Sequence, residues 1–152
     1  MAKTLIRVGP EDFSVEAELA AVRRESPSAG GVVSFVGVVR DANEGERVSK
    51  MTLEHYPGMT EKALAKIVEK ARGRFHLIDV VVIHRVGELR VGEQIVLCLV
   101  SAAHRGEAFQ GCEYIMDWLK TEAPFWKRET TPEGERWVDA RESDDRARAR
   151  WG

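Results

Sequence analysis

The chain has 152 residues, the length of one domain, and 43% of them are hydrophobic, enough to bury a core without disulfides or a structural metal. Its 23 basic and 25 acidic residues give a net charge of −2, so the basic excess of a nucleic-acid-binding protein is absent. Met1 to Pro10 holds no apolar run of signal-peptide length, and no stretch nears the ~18 apolar residues of a membrane span, which together point to the reducing cytoplasm.

The elements follow in chain order. Thr4 to Val8 is short and rich in branched side chains, ends at Gly9-Pro10, and predicts a first strand. Ser14 is placed to cap a helix running to about Arg24, with Glu16 and Glu18 in the first turn, where the helix dipole favours acids. After the Ser26–Gly31 loop, the valine-rich Val32 to Arg40 predicts a buried strand, and Gly37 inside it marks a bulge or a close backbone approach. Asp41 to Arg47 is polar and is expected to form an exposed, mobile loop. Lys50 to Tyr56 alternates with a period of two and predicts a strand; beyond Pro57-Gly58, Thr60 is expected to cap a helix to about Arg74.

Val80 to Val86 predicts another strand, Gly87 to Gly92 a tight excursion, and the apolar run Ile95 to Val100 a central strand. A helix from about Gly106 to Thr121 buries a stripe of Ala108, Cys112, Ile115, Met116 and Leu119, and Pro124 stops it. Phe125 to Glu129 and Arg136 to Asp139 predict short strands joined by a turn at Pro132-Glu133-Gly134. The tail from Glu142 to Arg150 alternates acids, arginines and alanines and reads as a solvated or frayed segment, flexible after about residue 143. No repeat or linker divides the chain, so residues 1–152 read as one domain. Strands and helices mix without a strict βαβ rhythm, and the fold class is α+β, a mixed or antiparallel sheet with packed helices.

Three segments hold candidate chemistry. In the first, Lys120 falls in the last turn of a helix, where a lysine interacts well with the terminal carbonyls. Lys127 would lie two turns, roughly 10 Å, further along a continuous helix. Pro124 forbids that helix, and the bend it imposes can bring the two amines together, with Phe125 and Trp126 anchoring the bend. Clustered cations, Arg128 among them, lower the proton affinity of each lysine, which an amine needs to act as nucleophile or base at neutral pH. In the second segment, Ser101-Ala-Ala-His104-Arg105-Gly106 leaves a central strand and opens a helix, a place where free amides favour an anion. In the third, Arg40 ends the strand that contains Phe35 and Gly37.

Other groups weigh less. His55 and His84 lie in predicted strands and read as structural, and Cys98 and Cys112 lack metal or redox spacing and read as core residues. Serine hydrolase, ATPase, metalloprotease and dinucleotide-binding motifs are absent.

Leu53-Glu-His-Tyr-Pro-Gly-Met59, Ser101-Ala-Ala-His-Arg105, Lys120 through Glu129, and Arg136-Trp-Val-Asp-Ala-Arg141-Glu-Ser together resemble the large, catalytic subunit of molybdopterin synthase, from about Leu5 to Ser143. The resemblance implies an α+β fold containing an α/β-hammerhead, and a cytoplasmic dimer of large subunits within a heterotetramer. It implies a small ubiquitin-like carrier whose C-terminal diglycine thiocarboxylate enters a pocket on the large subunit. Two sulfurs are then delivered to cyclic pyranopterin monophosphate, giving the dithiolene of molybdopterin, and no metal or organic cofactor is called for.

By the same resemblance, Lys120 and Lys127 match the active-site lysines. His104, Arg105, Arg128, Glu129 and Arg40 match substrate-contacting positions, with Val38 and Val39 beside Arg40. Arg141 matches an arginine that completes the pocket across the dimer. Phe35 joins the two lysines around the carrier's tail. Val38 departs from the family, which often has a polar residue there, so a contact at Val38 would come from the backbone. Two other readings stand beside this one: a non-catalytic module that binds an anion or a ubiquitin-like tail, and, opposed by the net charge, a nucleic-acid binder.

Overall fold

The computed structural model describes residues 2–43, 45–138 and 142–151. Two four-stranded sheets and four helices make an α+β fold, as the mixed pattern predicts. The first sheet contains β1 (Lys3–Gly9), β2 (Gly31–Val38), β6 (Leu77–Arg85) and β8 (Gln94–Ala102) in the order β1-β6-β8-β2. β1 runs parallel to β6, and the other pairs are antiparallel. β6 and β8 occupy the middle, and Val80–Ile83 and Val96–Val100 are almost fully buried, which is why both sequences read as unbroken apolar runs.

The second sheet is antiparallel throughout, in the order β10-β9-β5-β7, from β5 (Lys50–His55), β7 (Gly87–Arg90), β9 (Phe125–Thr131) and β10 (Gly134–Val138). One apolar cluster joins the two sheets to the helices: Leu53 and Leu89 of the second sheet share it with Val82 and Val96 of the first and with Leu64, Ile115 and Leu119. Helix α1 (Val15–Glu25) starts where Ser14 Oγ accepts the Ala17 amide at 3.1 Å, and its Val22 is buried with Val81 and Leu97 on the opposite face of the first sheet.

Five segments differ from the sequence reading, each for a physical reason. β2 ends at Val38, because the register against β8 slips between Gly37 and Val38; Val39 then bonds to the Glu93 carbonyl at 3.0 Å. The slip occurs beside Gly37, where a Cβ would sit 2.8 Å from Val96 Cγ1. The Asp41–Arg47 segment, read as an open loop, contains the ladder β3 (Ala42–Asn43) with β4 (Glu46–Arg47), and Asn43 is buried. The Gly87–Gly92 excursion contains β7, which pairs with β5 as the edge of the second sheet.

Thr60 is not a cap. Helix α2 (Met59–Arg74) is capped at Gly58, whose φ of 85° suits glycine and whose N–H donates to the Glu61 carboxylate at 2.9 Å. Thr60 is fully buried within the first turn. Its hydroxyl accepts the Tyr56 amide at 3.0 Å and donates to the Pro124 carbonyl at 3.2 Å, tying α2 to the bend that follows α3 (Arg105–Glu122).

The tail is also more ordered than its composition suggests. It forms α4 (Glu142–Ala149), held to α3 by Arg148–Glu122 at 2.6 Å and by Arg150 on Asp117 at 2.9 Å. Trp151 ends it, edge-on to Phe75 and Tyr114, with its indole N–H on Asp117 Oδ2 at 2.6 Å. The arginines that make the segment look solvated are the groups that find carboxylates on α3. Among the described residues, no helix is long and apolar enough to cross a membrane.

Candidate active site

Pro124 acts as the sequence predicts. Helix α3 stops at Glu122, and Ala123 takes an extended conformation (φ −77°, ψ 132°) while its N–H still reaches the Leu119 carbonyl. The chain reverses within Ala123-Pro124 and enters β9 between β5 and β10. Lys120 therefore projects from the last turn of α3, and Lys127 from a strand opposite Leu53 and Val138.

Both lysines line one cavity of about 400 Å³. Its walls come from the end of β2 through Arg40, from Leu119 and Lys120 of α3, and from the inward face of β5 and β9. Phe35, Val38 and Val39 line it, as do Arg40, Asn43, His84 and Glu129. Phe35 and Val38 are large apolar side chains left exposed at the rim, while Val39 is buried.

Strand alternation sorts β9 into two faces. Phe125, Lys127 and Glu129 point to the cavity. Trp126 and Arg128 point away, with Arg128 3.1 Å from the Glu135 carboxylate and lying over the Trp137 ring. Arg128 was expected beside the lysines and instead sits on the outer face, because it is an odd number of residues from Lys127 along a strand.

Glu129 is buried, and its Oε1 accepts three hydrogen bonds: from Asn43 Nδ2 at 3.1 Å, and from Arg136 Nε at 3.3 Å and Nη2 at 3.2 Å. Arg136 also reaches the Asn43 carbonyl at 3.0 Å, and Asn43 Oδ1 lies 3.5 Å from the Arg40 guanidinium. The chain Arg136–Glu129–Asn43–Arg40 thus fastens the β3–β4 hairpin to β9 and β10. Glu129 is the clamp that sets where Arg40 stands, a job invisible in its position next to Arg128 in the sequence.

His104 and Arg105 lie elsewhere. They open α3 and are exposed, whereas Lys120 is fifteen residues on in the same helix, about 22 Å away at 1.5 Å per residue. Within one chain they do not share the cavity of the lysines. Arg141 lies outside the described residues.

His84 is the cavity group that a reading of strands as structural passes over. It is buried near the end of β6, with Nδ1 2.8 Å from the Arg85 carbonyl. A carbonyl only accepts, so Nδ1 holds the proton and Nε2 the lone pair. The ring stacks on Phe125 at 3.8 Å between centroids and 17° between planes. Burial, joined by the charges of Lys120, Lys127 and His55, pushes its pKa from 6.5 to about 3, so the imidazole is neutral at physiological pH. The available signal in sequence was its nearness to Val86-Gly87, where the chain leaves the first sheet for the second.

Cys98 and Cys112 are free, buried and adjacent: the Cys112 thiol donates to the Cys98 carbonyl at 3.4 Å, and hydrogen bonding with the Cys112 thiol, followed by burial, raises the Cys98 pKa. Neither lines the cavity. Among the described residues, no group of three His, Cys, Asp or Glu side chains is arranged to hold a metal ion. The site is therefore a partly apolar cleft with Lys120, Lys127 and Arg40 in its wall, suited to an anion that brings an apolar or planar body with it.

The family described as "MoaE protein" matches residues 8–122. A molybdopterin synthase catalytic subunit of Ralstonia nicotianae is 63% identical over 147 residues, covering 97% of this chain and 84% of that protein. The subunit of the same description from Escherichia coli is 58% identical and covers 99% of this chain and 100% of that one. Among solved structures, a molybdopterin biosynthesis MoaE protein from Burkholderia ambifaria superposes with a TM-score of 0.85 at 56% identity, over 99% of both chains. A molybdopterin synthase from Staphylococcus aureus does so with a TM-score of 0.80 at 29% identity, over 88% of this chain and 96% of that one. With the family matched over residues 8–122 and relatives 58–63% identical covering nearly the whole chain, the chain belongs to the MoaE family.

Proposed function

We propose that this chain is the catalytic, sulfur-transferring subunit of molybdopterin synthase, and that the cavity between α3, β2 and β9 is where sulfur moves. The carrier is a small ubiquitin-like protein ending in a diglycine thiocarboxylate; the acceptor is cyclic pyranopterin monophosphate, which takes two sulfurs and becomes the dithiolene of molybdopterin. The observation that supports this best is the convergence of Lys120 and Lys127, from a helix end and a strand, on one cleft with Arg40. A phosphate and a thiocarboxylate are both anions, and a cleft walled by cations concentrates them. Phe35 and Val38 at the rim suit an extended peptide tail, and Val38 offers its backbone where the family often carries a polar side chain. Lys120 faces the carrier's carbonyl and steadies the oxyanion that forms there; Lys127, on β9, faces the pterin.

Two large subunits pair, each with one carrier, as a cytoplasmic heterotetramer. Pairing also gives His104 and Arg105 a place in the reaction. Being about 22 Å from Lys120 in their own chain, they reach a substrate only in the cleft of the second copy. Arg141 is assigned to the same shared pocket.

The test is conversion of the cyclic precursor by this chain with a thiocarboxylated carrier, with the product weighed by mass spectrometry. Lys120→Ala is expected to lower turnover at least ~100-fold with the fold intact. Normal turnover would overturn the catalytic assignment. Lys127→Arg separates this reading from a module that merely binds an anionic tail: it keeps charge but not the reach or proton chemistry of an amine, so it too is expected to lose activity.

A further inference from the structure

We infer that His84 is the proton acceptor for the water that cuts the carrier's acyl group from the transferred sulfur. This rests on the sulfur-transfer reading above and assigns a step within it. When the thiocarboxylate sulfur bonds to a pterin carbon and an oxygen substituent leaves that carbon with the bonding electron pair, the carrier becomes tethered through an acyl–sulfur bond. That bond must break before the carrier leaves, and water is the reactant at hand. The water oxygen bonds to the acyl carbon while one of its protons passes to a base. The carbon–sulfur bond then breaks with its electron pair on sulfur, and the base returns its proton to that sulfur. The products are the carrier's carboxylic acid, which ionises to solvent, and a pterin thiol.

The base needs an available lone pair, and the cavity offers few. Arg40 is a cation at any relevant pH, and a lysine ammonium carries no lone pair until it has given up a proton. Glu129 is buried and its negative charge is held by Arg136 and Asn43 through Oε1. His84 differs from all of these. Its Nδ1–H is fixed on the Arg85 carbonyl and its ring plane is fixed on Phe125, so the lone pair is left on Nε2 of a ring that lines the cavity. The titratable groups around it are Lys120 from α3, Lys127 from β9 and His55 from β5. Burial first keeps the ring neutral, and the two lysine charges add to it. A bound phosphate and carboxylate offset them and raise the affinity of Nε2 for a proton in the complex.

The experiment is a single turnover of the complete large subunit with thiocarboxylated carrier and cyclic precursor, quenched and analysed by intact-protein mass. Wild type is expected to release free carrier and product. His84→Asn and His84→Phe, the second keeping an aromatic ring against Phe125, are expected to form the carrier–pterin adduct but to cleave it at least ~100-fold more slowly. Variants that cleave at the wild-type rate would overturn the proposal, as would folded variants that lose adduct formation and cleavage equally. Should both variants misfold, wild type turned over in heavy-oxygen water decides: the label must enter the released carrier's C-terminal carboxylate, and its absence refutes water as the reactant. If wild type itself converts no precursor, it is the sulfur-transfer reading that fails.

Discussion

The His84 ring lies flat against Phe125, 3.8 Å between centroids, and this contact joins the two sheets where both residues line the cavity. His84 belongs to β6 of the first sheet; Phe125 opens β9 of the second, two residues before Lys127. Thr60 holds the same bend from the other side through the Pro124 carbonyl. The position of Lys127 relative to Lys120 therefore depends on an aromatic stack and a buried hydroxyl, and not on Pro124 alone.

The same histidine predicts an acid limb in stability. Its pKa is about 6.5 unfolded and about 3 folded, so below pH 6.5 the unfolded chain binds a proton that the folded chain refuses. Its contribution is fully present above pH 6.5 and is lost as pH falls toward 3, at up to about 1.4 kcal/mol per pH unit. Urea denaturation of wild type and His84→Phe at pH 7, 6, 5 and 4 should show the variant with the shallower decline. Parallel pH curves would remove His84 as the cause.

Glu129→Gln should weaken the protein and the site together. The carboxylate is buried and balanced by Arg136, whose own side chain is about one-third exposed, so the loss is estimated at about 1–3 kcal/mol, below that of a fully enclosed pair. The midpoint of urea unfolding measures this. Because Asn43 and Arg40 are held in the same chain of contacts, KM for the phosphorylated precursor should rise several-fold as well. A variant with wild-type stability and KM would mean that the clamp does not position Arg40.

The placement of His104 at the far end of α3 from Lys120 predicts complementation between two inactive chains. In a mixed dimer of Lys120→Ala with His104→Ala, one shared site combines both lesions and the other has none. Random pairing makes half of the dimers mixed, so about a quarter of wild-type sites should return. Activity of the mixture, measured after dissociation and reassociation, is compared with each variant alone. No recovery would place both residues in the same chain's site.

Trp151→Ala tests the order of the tail. The indole packs edge-on to Phe75 and Tyr114 and donates to Asp117. Removing it should cost about 2 kcal/mol, less than a fully buried tryptophan because the ring is partly exposed. Proteolysis of the tail should accelerate with it. Unchanged stability and protection would make the tail the frayed segment that its composition suggests.

Periodicity and punctuation were enough for most elements. Alternation marked β5, unbroken apolar runs marked β6 and β8, Ser14 marked the start of α1, and Pro124 marked the end of α3. Those signals are local, set by backbone sterics and by which face meets the core. The α4 segment was misread because its partners, Glu122, Asp117 and Glu113, lie more than twenty residues back on α3. β7 and the β3–β4 ladder were missed because a short edge strand takes its identity from the chain it pairs with.

For the site, the sequence by itself determined that two lysines flank a proline bend and that an arginine ends the strand bearing Phe35. The tertiary structure alone decided which cations face one cavity. It turned Arg128 outward by strand alternation, separated His104 and Arg105 from Lys120 by the length of a helix, and made Glu129 a clamp. It also brought His84, thirty-six residues before Lys120, into the wall as a neutral base. Charge and spacing are written along the chain, but the side on which a residue emerges, and what burial does to its proton, exist only once two sheets and a helix end close around it.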